Sequence, residues 1–138
     1  MVIALNTRTI LSIFRDMKEL KYERIGWGAD EAVQLAEVLP LCTSATVLHL
    51  GNNKNISDRG AKALAAAFAE GAMPKLEKLF LPVNQIGDEG AVALAEAVGK
   101  GALPELKGLN LYGNKLSKTS KDAWEAVKAK RSGLSVTI

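Results

Sequence analysis

Cysteine, histidine and aromatic residues are all scarce in this chain, and each shortage closes off a kind of chemistry. Cys42 is the sole cysteine of 138 residues, so no internal disulfide can brace the fold. His49 is the sole histidine, which leaves no second His or Cys with which to build a zinc site; no metal and no other cofactor is expected. Aromatic residues make up only 5% of the chain, and they are not interleaved with basic residues as a base-stacking platform requires. No apolar run approaches the ~20 residues of a membrane span. The opening MVIALNTRTILSIFR carries Arg8 inside its apolar stretch, has no basic leading region and offers no convincing cleavage site, so no signal peptide is expected.

What the chain does have is a repeat. Leu79 returns thirty residues later as Leu109 and thirty-one earlier as Leu48. Asn84 returns as Asn114 and Asn53, Leu81 as Leu111 and Leu50, and Ile86 as Leu116 and Ile56, with one residue inserted at Lys54 or Asn55. A period in this range is the signature of a solenoid. Within a unit the hydrophobic spacing changes once. Leu79-Phe80-Leu81 alternates at period two, as a short strand does. Ala91, Leu94, Ala95 and Val98 then fall on one face of a helix that begins near Asp88, where a carboxylate suits the helix N-terminus.

The unit LxxLxLxxNxI followed by GxxxLxxA resembles the leucine-rich repeat, and its long helical half is similar to the ribonuclease-inhibitor-type class of that family. The resemblance implies an α/β fold: a right-handed βα superhelix with a short parallel sheet on its concave face and helices on its convex face. Strand leucines and inward helix faces cannot be buried within one unit, so neighbouring units must stack and share a core. Asn53, Asn84 and Asn114 stand where the chain leaves the strand. There an amide can bond backbone groups that the turn leaves unpaired, which is a structural duty.

A chain this long is one domain's worth, and we read 1–138 as a single domain. Residues 1–16 form an N-terminal cap, repeats run over about 17–44, 45–75, 76–105 and 106–131, and 132–138 add a closing strand. In the cap, Ile10, Ile13, Phe14 and Met17 have helical spacing, with Asn6, Thr7 or Thr9 as N-cap, while Val2 to Leu5 leave a degenerate strand open. The first repeat diverges, with Ile25 at the Asn position and Trp27 at the Ile86 position. Cys42 aligns with Met73 and Leu103 and is expected to be a small buried hydrophobe. In the last helix Lys118 breaks the Asp58 and Asp88 pattern and leaves Ser117 or Thr119 as cap. Trp124 takes the Leu64 and Leu94 place, and Lys128 replaces Phe68 and Val98, making that helix more polar. The net charge of +3 sits in the same region: from Lys115 onward six basic residues face Asp122 and Glu125. Lys128, Lys130 and Arg131 fall in a last helical turn, where cations complement the helix dipole.

Function has to be sought on the strand faces turned away from the core. Alternation places Glu19, Lys21 and Glu23, then Val47, His49 and Gly51, then Lys78, Phe80 and Pro82, then Gly108, Asn110 and Tyr112 on that face. The candidate partner-binding residues are Lys21, His49, Lys78, Phe80, Asn110 and Tyr112, a mixed polar surface with two aromatic anchors of the kind that dominates protein interfaces. No catalytic residues are expected. The pattern fixes no nucleophile or carboxylate beside His49, Gly26-Trp27-Gly28 lacks the third glycine of a dinucleotide loop, and Gly113 to Ser117 lacks the spacing of a phosphate loop. The resemblance implies a module that binds a protein, and from the residues no enzyme activity, nucleic-acid partner or membrane partner is expected. Extracellular members of the family usually carry Cys-rich caps, so a cytoplasmic location is expected. The alternative is a regulator of a small GTPase. Ran GTPase-activating proteins carry this repeat class and act through a loop arginine, a place that Arg24 or Arg59 would take here.

Overall fold

Wherever the hydrophobic spacing switches from two to 3.6, the backbone changes from strand to helix. The computed structural model describes residues 7–138. In order the elements are α1 (Thr7–Asp16), β1 (Glu19–Lys21), α2 (Ala29–Val38) with a 3-10 turn at Leu39–Leu41, β2 (Val47–His49), α3 (Ser57–Ala69), β3 (Lys78–Phe80), α4 (Asp88–Gly99), β4 (Gly108–Asn110), α5 (Lys118–Lys130) and β5 (Ser135–Thr137). The reading of Val2 to Leu5 lies outside the described residues.

The five strands make one parallel sheet in sequence order. Their register puts Leu20, Leu48, Leu79, Leu109 and Val136 side by side. That row, with Leu50 and Leu81 beyond it, faces a core closed by Ala32, Leu64, Leu94 and Trp124 from the helices. Each fully buried leucine stabilises the fold by roughly 1.5–3 kcal/mol, and each needs its neighbour in the next unit to be buried. Small residues let the helices approach one another. A Cβ added at Gly90 of α4 would lie 2.8 Å from the Ala61 Cβ of α3, and one at Gly60 would lie 3.0 Å from the Ala32 Cβ of α2.

Polar groups tie the units together in the turns that leave the strands and at the helix starts. Asn84 is buried; its Oδ1 accepts from Asn53 N at 3.2 Å and its Nδ2 donates to Leu50 O at 2.9 Å. Asn114 serves the preceding unit in the same way, accepting from Asn84 N and Ile86 N, and Asn53 accepts from Ile25 N and Trp27 N. Aspartates reach the other way. Asp58 of α3 accepts from Gly87 N and Gly90 N, both at 2.8 Å, at the start of α4. Asp88 of α4 accepts from Ser117 N and from the Ser117 and Ser120 hydroxyls at the start of α5.

Cys42 is fully buried and its Sγ lies 3.7 Å from Val38 O; burial pushes its thiol pKa up. That keeps it protonated and poorly nucleophilic. The end of the chain carries more than a dipole argument supplies. Arg131 donates to Ala102 O at 2.8 Å and Leu103 O at 2.5 Å, so it satisfies carbonyls that follow α4 instead of those of its own helix. Trp124 is completely buried, and its indole N–H finds no acceptor among the described residues.

Candidate functional site

Alternation along three-residue strands leaves one side chain in the core and two on the opposite face, and stacking converts those outward residues into rows. The middle row runs Lys21, His49, Phe80, Asn110 and Thr137, each paired in register with the next. His49 and Phe80 stack, with ring centroids 4.3 Å apart and 13° between planes. The pair is half-buried by its own contact, so two adjacent strands present one aromatic slab. Tyr112, on the turn after β4, is 63% exposed. Asn110 Oδ1 accepts from Tyr112 N at 2.8 Å, a local turn that fixes where Tyr112 leaves the strand. Lys21 is held by Glu19 at 3.2 Å, and Lys78 is exposed at the outer row.

Glu23 corrects the expectation that no carboxylate stands near His49. Its Oε2 lies 3.3 Å from His49 Nδ1. The signal was available, since Glu23 follows Lys21 by two residues and so shares its face. What strand spacing alone could not show is that its side chain crosses to the neighbouring unit. A His with a carboxylate 3.3 Å from its Nδ1 has the parts of an orienting pair. Among the described residues no group of three or more His, Cys, Asp or Glu could hold a metal.

Two hollows flank this pair. The first, about 220 Å³, is walled by Glu23, Arg24, His49, Gly51, Asn52, Phe80 and Pro82. Its floor needs a glycine, because a Cβ at Gly51 would come within 2.9 Å of Pro82 Cγ; Gly51 is therefore buried where alternation alone assigned it to the open face. The second, about 450 Å³, is bounded by Arg24, Gly26, Asn52, Asn53 and Lys54 on the turns that leave β1 and β2. Arg24 and Lys54 have no anionic partner among the described residues. Arg59 does have one: it lies 2.5 Å from Asp30 on the helical side.

A row of outward residues on a parallel sheet, with helices closing the other side, defines the class: a βα solenoid with one free sheet face. Comparison with known proteins places it further. The leucine-rich-repeat family model matches residues 42–65 and 72–95, windows that start at Cys42 and Ala72 and each include one strand and the first two-thirds or so of one helix. No curated protein matches the chain in sequence. Among solved structures, the actin-binding site 2 of leiomodin-1 superposes with a TM-score of 0.76 at 19% identity, over 94% of this chain and 74% of that one. The fold of this chain is an α/β solenoid of the leucine-rich-repeat kind. Among the described residues no helix is long and apolar enough to cross a membrane.

Proposed function

We propose that this chain is a non-catalytic protein-interaction module of the ribonuclease-inhibitor-like class. It is a single domain working in the cytoplasm, and it takes a protein partner, not nucleic acid or a membrane, on the open, concave sheet face. Lys21, His49, Lys78, Phe80, Asn110 and Tyr112 form that surface. The observation that carries the reading is the stacked His49–Phe80 slab with exposed Tyr112 one strand further on, since rigid aromatic anchors amid polar neighbours supply much of the energy of protein interfaces. The leiomodin-1 structure of similar shape is described as an actin-binding site, which supports protein binding by a solenoid of this size.

The test is a pull-down from cytosol, followed by affinity measurement with whichever partner is identified. The Phe80→Ala/Tyr112→Ala variant is expected to weaken binding by roughly tenfold or more, while Glu96→Ala on the helical side leaves it unchanged. Unaltered affinity in the folded double variant would refute the reading. The alternative, a regulator of a small GTPase, would act through Arg24 or Arg59; Arg59 is paired with Asp30 on the surface, whereas Arg24 has no anionic partner among the described residues.

A further inference from the structure

We infer that the segment this face accepts is acidic, with an Asp or Glu side chain seated between Arg24 and Lys54 while a neighbouring apolar residue lies on the His49–Phe80 slab. The inference rests on the docking reading above and adds the partner's chemistry to it. Its basis is continuity: the two hollows share Arg24 and Asn52 as wall residues, so one extended segment leaving the aromatic slab passes directly into the second hollow. The charge there is uncompensated. Cations that bridge successive units on the helical side, Arg59 and Lys62, sit on Asp30 and Glu89, and Lys107 sits on Glu77. No carboxylate lies within ion-pair distance of Arg24 or Lys54 among the described residues.

The one acid in the same cleft is Glu23, and it is directed at His49 Nδ1, 3.3 Å away. That division fixes the register. An incoming carboxylate is repelled from the His49 end by Glu23 and drawn to the far end by two cations, one of them a guanidinium whose planar fork matches a carboxylate in two bonds. A basic segment would meet the reverse arrangement and be rejected where the pocket is widest.

A displayed library of random peptides of about twelve residues, fused at their C-termini so that no free terminal carboxylate is presented, tests this. Selection on the wild-type chain is expected to enrich peptides with Asp or Glu next to an aromatic or aliphatic residue. Selected peptides, measured by fluorescence anisotropy, should bind at least about tenfold more weakly to Arg24→Gln/Lys54→Gln and weaken as salt rises from about 50 to about 500 mM. Both substitutions are at exposed positions, and the salt series on the unmodified chain stands independently of how the variant folds. Enriched peptides that need Phe80 and Tyr112 but carry no acidic residue, or carry basic ones, would overturn this inference and leave the docking reading standing. Binding that depends on none of the four residues would overturn both. Self-association lost in Arg24→Gln/Lys54→Gln, detected by sedimentation of the chain alone, would make a second copy the occupant and overturn it as well.

Discussion

Asn84→Ala isolates how much of the fold depends on the amides that stitch one turn to the next. Asn84 is completely buried, so water cannot replace what the substitution removes. Of its three bonds, those to Leu50 O and Pro82 O are the less costly to lose. Leu50 O keeps the Asn53 amide at 2.8 Å, and Pro82 O keeps Asn52 N at 2.8 Å. Asn53 N, however, is left in a buried turn without the Oδ1 it donated to. An unsatisfied buried donor costs about 1–3 kcal/mol, and the two lost donor bonds add roughly 1 kcal/mol net. The expected loss is thus roughly 2–4 kcal/mol, a large share of the ~5–15 kcal/mol by which a domain is stable. Asn114→Ala strands two donors, Asn84 N and Ile86 N, but Asn114 is only half-buried. Water can reach it, so the loss should be smaller, roughly 1–2 kcal/mol. Urea unfolding followed by circular dichroism measures both. A loss below roughly 0.5 kcal/mol for Asn84→Ala, or a larger loss for Asn114→Ala, would refute the argument that burial sets the cost.

Two further outcomes follow from the helix starts. Gly90→Ala would bring a Cβ within 2.7 Å of Asp58 Oδ1 and 2.8 Å of Ala61 Cβ, whereas a Cβ at Gly108 meets nothing within 4 Å. In thermal unfolding Gly90→Ala should therefore cost about 1–3 kcal/mol, with Gly108→Ala near neutral; equal effects would contradict the close approach of α3 and α4. The Ser117 hydroxyl foremost, then that of Ser120, holds the Asp88 carboxyl down from 3.8 to about 2. A folded value below the unfolded one means the bonds stabilise fully above about pH 4 and are lost as pH falls through about 2. Acid titration should show Asp88→Asn losing less stability than wild type over that window, and parallel curves would sink the assignment.

The repeating part of the fold was legible because its chemistry is local. Period two marks β3 at Leu79, period 3.6 marks α4 from Asp88, and the recurrence of the same leucine one unit apart requires the parallel register that joins Leu48, Leu79 and Leu109. The candidate surface was legible as a set of residues but not as an arrangement. Alternation named His49, Phe80 and Glu23 as sharing a face, yet the stacking of the first two and the reach of the third to Nδ1 depend on rotamers that spacing does not specify. Gly51 shows the converse: its place on the open face was read from position, and its burial comes from Pro82, one unit away.

The departures from the pattern obey a direction that the sequence displays but does not explain. Each turn asparagine bonds backbone of the unit before it, and Asp58 and Asp88 bond backbone of the unit after them. An asparagine is therefore needed only where another turn precedes. Ile25 stands at that position in the first unit, and no repeat turn precedes it among the described residues. An aspartate is needed only where another helix follows. Lys118 stands at that position in α5, and no helix follows it among the described residues. The rule also accounts for a lapse inside the array. Ala29 occupies the aspartate position of the first unit, and at the start of α3 Ser57 N donates to Asn84 O and Gly60 N to Ile56 O, where α4 uses Asp58. If the rule holds, Ala29→Asp should add a carboxylate acceptor there and stabilise the chain, by about 0.5 kcal/mol because both N–H groups already have partners. The same substitution would be neutral or destabilising if the aspartates acted only on their own helices, because α2 already has Asp30 and Glu31 in its first turn.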